Sequence, residues 1–267
     1  FNLEKSNELE VDEQGKTLIV STIKGMEEEN AEIDADKFHP FSTKLIGMLY
    51  KLGYKKIKAF YIPNKIVEHR NKKIKELDMV RNTFDHLVGM QLWDIGKENG
   101  KSFALSSESA KVNPNEFDNV LSKIFLNLIS LAEMVYQGID EGKDIYDEAY
   151  LSERLINQNS DFCDKILLSY GHKDYKKTLP YHDLIDKLES IGDRYFFIAS
   201  KFKGTVNNHS KRLLEDSVEF IKDIFSIYNK FDVDKITKLS KKIKESLNNF
   251  EEKLSNNETK TNFFDFR

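Results

Sequence analysis

From Pro114 to Ser255 apolar residues return every three or four positions in five successive runs, and no other feature of the chain constrains the fold as much. That spacing lays an apolar stripe along one side of a helix. The first run carries Phe117, Val120, Leu121, Ile124, Leu128, Leu131 and Val135, with Gly138 and Gly142 bracketing its end. The second runs from about Asp144 to Tyr170 and stops before Gly171. The third starts just after Pro180. The fourth places Leu214, Val218, Ile221, Phe225 and Tyr228 in register, and the fifth repeats Ile236, Leu239, Ile243, Leu247, Phe250 and Leu254 at near-heptad spacing. The turn from Lys230 to Asp234 is short, which makes the last two helices antiparallel neighbours. The expectation is five helices and no strand over this span.

The third run, LIDKLESIGDRYFFIA from Leu184 to Ala199, is read as the helix the others gather around. Leu184, Leu188, Ile191, Tyr195, Ile198 and Phe202 form its core seam. Gly192 lies beside the seam and suits close approach of a neighbouring helix; otherwise a mid-helix glycine costs about 1 kcal/mol. His182, Asp186, Glu189 and Asp193 form a separate polar row of possible metal ligands. Their plain reading is a solvated face. Only one of Phe196 and Phe197 can join the seam fully, so the other is expected to be exposed or in a subunit contact.

The first part of the chain reads differently. Residues 8–23 alternate as a hairpin with Gly15 in its turn. Ile33 marks a short strand, Phe41–Leu52 a helix closed by Gly53, and Ile57–Ile62 a strand. A second helix is expected from Pro63 and Asn64 to about Leu77. Its basic residues Lys65, Arg70, Lys72, Lys73 and Lys75 could touch phosphates, but Glu68 and Glu76 dilute them. Residues 78–86 read as a helix extension or a loop. Val88–Ile95 is a strand, and the turn Lys97–Gly100 leads into the strand Ser102–Ser106 as a hairpin. The order strand, helix, strand, helix, strand, strand suggests a small ferredoxin-like α+β layer. Residues 108–113 read as a linker. The expected divisions are therefore 1–28, 29–112, 113–256 and a polar tail 257–267.

A net charge of −4 over 267 residues argues against binding nucleic acid by overall charge. Cys163 is the single cysteine, so no intrachain disulfide forms, which fits a reducing, cytoplasmic setting. No apolar run is read as approaching the roughly 18 to 20 residues of a membrane span, so no membrane insertion is expected. The chain opens on Phe1 with polar residues unlike a signal peptide, and it reads as a piece whose beginning lies upstream.

The third helix resembles the signature of the PhoU family, whose corresponding helix reads LERIGDHAxNIA. Leu188, Glu189, Ile191, Gly192, Asp193, Ile198 and Ala199 match it, whereas Ser190, Arg194 and Phe197 depart. The layout is similar to archaeal PhoU-related regulators: a SpoVT/AbrB-like β domain, a small α+β domain, then an antiparallel PhoU-like helical bundle. On that resemblance residues 8–23, with LEVDEQGKTLIVS, are the remnant of the β domain. The resemblance also implies iron or zinc held by E/D-x-x-x-D pairs. Glu189 and Asp193 keep one pair, but the other falls on Asn159 and Cys163, which lack the charge, so little or no metal is expected. A shifted row, Glu153, Asn157, Asp161 and Asp164, could supply oxygens instead, with solvated acids as the default reading.

The remaining histidines show no ligand spacing, and the chain has no phosphate-cradling glycine loop and no G-x-S-x-G elbow. No nucleophile, base and oxyanion donor combine, so an enzyme is not expected. The resemblance implies a cytoplasmic, non-enzymatic regulator of phosphate uptake. Its partner would be a phosphate-transporter ATPase or a signalling protein, and the chain a homodimer. Two alternatives stand beside it: a transcriptional regulator with an AbrB-like DNA-binding part, and an assembly subunit with a degenerate bundle. Phe196, Phe197, Ile243 and Leu247 are the expected partner contacts. The last two helices are expected to need a further helix to cover their stripes.

Overall fold

A computed structural model describes residues 8–14, 17–23, 30–69, 72–110, 112–202 and 206–255, with side chains described within 30–252. The chain divides into two compact units, Phe1–Val112 and Asn113–Arg267.

In the first unit β1 (Glu8–Gln14) and β2 (Thr17–Ile23) form an antiparallel pair with Val11 opposite Val20. Gly15, the expected turn residue, lies outside the described residues. β3 (Asn30–Asp34), α1 (Ser42–Lys51) and β4 (Lys56–Tyr61) form a β-α-β unit whose two strands pair in parallel. β7 (Met90–Glu98) and β8 (Lys101–Glu108) complete a four-stranded sheet of order β3-β4-β8-β7. Asn99 and Gly100 both have positive φ, 49° and 80°, and make the two-residue turn between β7 and β8. The sheet is not ferredoxin-like. That arrangement splits each β-α-β pair with an inserted strand, whereas β3 and β4 here are direct neighbours. The order of elements is written along the chain; the order of strands across the sheet is not.

The helix expected over residues 64–77 is instead a hairpin, β5 (Ile66–His69) and β6 (Lys72–Lys75). Val67 sits opposite Ile74 and is buried, while Lys72, Lys73 and Lys75 stay exposed. Val67, Ile74 and Leu77 happen to fit a helical period, but the β-branched residues Ile66, Val67 and Ile74 favour paired strands. Arg70 lies outside the described residues. Residues 78–86 belong to α2 (Glu76–His86), which buries Met79, Val80 and Phe84 against Ile46 and Tyr50 of α1 and Ile57 and Ala59 of β4. Glu76, the first residue of α2, is fully buried. Its Oε2 accepts the Ile62 amide at 2.7 Å and its Oε1 meets Lys65 Nζ at 3.3 Å. Lys65 also pairs with Asp36. This paired charge ties the start of α2 to the end of β4.

The second unit is five α-helices with two short 3₁₀ turns, and its described residues contain no strand. They are α3 (Phe117–Glu141), α4 (Tyr146–Tyr170), α5 (Thr178–Lys201), α6 (Asn208–Asn229) and α7 (Val233–Ser255). Gly142, at φ 68°, ends α3, and Gly171, at φ 72°, ends α4. α5 begins two residues before Pro180, which sits in the first turn where a missing N–H has no helical partner to lose.

α3 packs against α4, α5 and α6, α4 packs against α5, and α6 against α7. α3 is thus enclosed, with Leu121, Ile124, Phe125, Leu128, Leu131 and Val135 all fully buried. Its composition reflects that position: Pro114–Glu141 is long and apolar enough to cross a membrane by length and composition, contrary to the expectation that no run comes near. A helix with neighbours on several sides is apolar over most of its circumference. Phe125 stacks with Phe225 at 5.1 Å and Tyr228 at 5.2 Å between ring centroids, which seats α6 on α3. Lys235 with Ser226, Lys242 with Asp223 and Ser246 with Asp216 step in opposite directions along α6 and α7, so the two are antiparallel.

Candidate functional site

α5 is rotated relative to the seam read from its sequence. Its buried residues are Ile185, Leu188, Gly192, Tyr195 and Ala199, while Leu184, Ile191 and Ile198 are half-buried at the margins. The buried face is centred on small residues. Leu188 and Tyr195 belong to both readings. Tyr195 points its hydroxyl at Ser217 Oγ, 2.6 Å away on α6.

α4 carries an unusual inner face. Ile156, Phe162, Cys163 and Ile166 are buried, and so are Glu153, Ser160, Asp164 and Lys165. The expectation of solvated acids therefore fails for Glu153 and Asp164. Asn157 Nδ2 donates to Glu153 Oε1 at 2.6 Å, one turn along the helix. Burying such groups costs free energy unless each finds a partner. Cys163 is fully enclosed. Burial pushes its thiol well above the ordinary range, and the charges of Asp164 and Asp118 push it further. Cys163 is therefore a core thiol, and Asn159, one turn before it, is half-buried.

A different set comes together. Asp164 on α4 lies with its Oδ1 2.8 Å from His182 Nδ1 on α5. Asp186 follows His182 by one turn on the same side of α5. One ligand atom from each of Asp164, His182 and Asp186 lies within 4.8 Å of the others. The Asp164 side chain is fully buried, that of His182 is 38% exposed, and Asp186 is exposed. The cluster thus runs from the α4–α5 interior to the surface. Glu189 and Asp193 stand seven and eleven residues beyond His182, roughly 10 and 16 Å along the helix axis, and are not part of it. Of the expected row, His182 and Asp186 are brought to Asp164, and Glu189 and Asp193 are not. Asp164 sits inside the uninterrupted buried run Phe162–Leu167, beside Lys165, and the sequence offers it only as one acid of the row Glu153, Asn157, Asp161 and Asp164.

The expected contact residues separate into two places. Phe196 is half-buried against Tyr146 and Tyr150, with ring centroids 5.6 and 6.0 Å apart. Phe197 is 56% exposed, with Lys201 Nζ 5.9 Å from its ring centre. On α7 Ile243 is half-buried and Leu247 is 49% exposed. Leu239 is the buried residue of α7 among those described. A groove between α6 and α7 is lined by Arg212, Asp216, Glu219, Lys242 and Glu245 around Leu213, Phe220 and Phe250. It mixes both signs of charge with apolar side chains.

No family profile, no curated protein and no solved structure matches this chain.

Proposed function

We propose that the chain is a non-enzymatic regulator resembling PhoU that acts through protein contacts of its helical unit. The observation that carries this reading is the α6–α7 face. α6 is covered by α3 on one side, while α7 packs chiefly against α6 and leaves Ile236 and Leu247 exposed along its stripe. An amphipathic helix packed chiefly on one other, with a partly wetted stripe, is suited to receiving a further helix in a groove. Charged residues of both signs along the same groove supply register and selectivity. The resemblance in α5, with Leu188, Glu189, Ile191, Gly192, Asp193, Ile198 and Ala199, supplies the biological setting: control of phosphate uptake, with a transporter ATPase or a signalling protein as partner. On the same resemblance, β1 and β2 belong to a SpoVT/AbrB-like part.

The test is capture of partners from native cells on the immobilised full chain, beside the double variant Ile243→Ser, Leu247→Ser. Recovery of a phosphate-transporter ATPase or a signalling protein, lost with the double variant, supports the reading. Recovery of the same protein by both forms, or of DNA-associated proteins alone, contradicts it.

A further inference from the structure

We infer that Asp164, His182 and Asp186 form a binding site for one divalent transition cation of the zinc class, which fastens α4 to α5. The residues lie outside Glu189 and Asp193. They are assembled by packing two helices, so the ion would bridge the elements rather than decorate one of them.

Three observations carry the inference. The first is chemistry and spacing. A tetrahedral zinc ion takes imidazole nitrogen and carboxylate oxygen at about 2.0 Å, which puts its ligand atoms roughly 3.3 Å apart. Here the His182 nitrogen and Asp164 oxygen are 2.8 Å apart, and the three ligand atoms lie within 4.8 Å of each other. Ion entry opens the His182–Asp164 hydrogen bond and draws the three side chains together, and His182 and Asp186 already share one helix face. One imidazole with two carboxylates favours zinc-like ions over magnesium, which prefers an all-oxygen octahedron.

The second is charge. Asp164 has no exposed side-chain surface, and a second carboxylate, Asp186, reaches the same point. A buried carboxylate is held by hydrogen bonds and neighbouring positive charge, and His182 is one such partner of Asp164. Two carboxylates facing one imidazole are a donor set that a divalent cation accepts.

The third is an unsatisfied group. Ser160, one turn before Asp164 on the same face of α4, is fully buried, and its Oγ has no hydrogen-bond partner. Such an atom is costly to leave alone. A hydrated ion beside Asp164 would offer it a partner.

The test is titration of the full chain, freed of metal with a chelator, with zinc chloride, cobalt chloride and magnesium chloride in parallel. The expected result is one zinc per chain with micromolar affinity or better, a cobalt absorption band typical of four-coordinate nitrogen and oxygen ligation, and little response to magnesium. His182→Gln and Asp186→Asn should each weaken zinc binding at least about tenfold, with the helical circular dichroism signal unchanged. Glu189→Gln should bind as the wild type does. Asp186 is exposed, so Asp186→Asn keeps the test sound even where a change at buried Asp164 disturbs folding. No saturable zinc uptake, uptake undiminished in both His182→Gln and Asp186→Asn, or a site lost in Glu189→Gln instead, would overturn the inference.

Discussion

Gly192 of α5 faces Ile156 of α4 so closely that a β-carbon placed on the glycine would stand 3.2 Å from Ile156 Cδ1 and 3.4 Å from its Cγ2. Both residues are buried. The glycine therefore sets the distance between the two helices that also carry Asp164 and His182. Gly192→Ala should change stability by less than about 1 kcal/mol, because the gain in helix propensity offsets a contact that the flexible end of Ile156 can relieve. Gly192→Leu should cost about 1 to 3 kcal/mol by overpacking. Thermal unfolding followed by circular dichroism measures the difference.

Glu76 anchors the first unit through the Ile62 amide and Lys65. Glu76→Ala removes both acceptor oxygens and leaves a buried N–H alone, so it should destabilise this unit by about 2 to 3 kcal/mol. Lys65 is one-third exposed, which lets water relieve part of the loss. Glu76→Gln keeps a carbonyl acceptor and should cost less. Backbone amide exchange within α2, followed across a urea series, reports the midpoint for this unit.

Cys163 should be inert in the native protein. Its thiol is buried and held well above the ordinary value of 9.0. A thiol-specific reagent at mildly alkaline pH should react at least roughly 100-fold more slowly with folded than with unfolded chain, each tenfold corresponding to about 1.4 kcal/mol of opening free energy. The sign of the linkage follows: the unfolded state releases this proton first, so stability should fall as pH rises past 9.0. Cys163→Ala should flatten that alkaline decline in a denaturation series across pH.

The helical periodicity was legible because each stripe is local: residues three and four apart in sequence are neighbours on a helix surface. Which side of α5 faces inward was less so. Sequence reading centres a stripe on large residues, whereas the buried face is centred on Gly192 and Ala199, and Gly192 marks a close approach of Ile156. The β5–β6 hairpin was hidden because Val67, Ile74 and Leu77 satisfy a helical period by coincidence. The β3-β4-β8-β7 order depends on pairings between distant segments, on which local patterns are silent. The same division runs through the candidate cluster. His182 and Asp186 are a local pair one turn apart, visible in the chain. Asp164 joins them only through the packing of α4 on α5.

The central claim is that α6 and α7 present a contact surface rather than a finished core. Burying the remaining stripe would stabilise an assembly by about 25 cal/mol for each Å² of apolar area removed from water. The direct measurement is the solution mass of the full chain and of Ile243→Ser, Leu247→Ser at micromolar concentration, with circular dichroism on both. The account predicts that the wild type associates, with itself or with its added partner, and that the double variant loses this association while keeping most of its helicity. A wild type that stays monomeric and partnerless, with a double variant that simply unfolds, would contradict it.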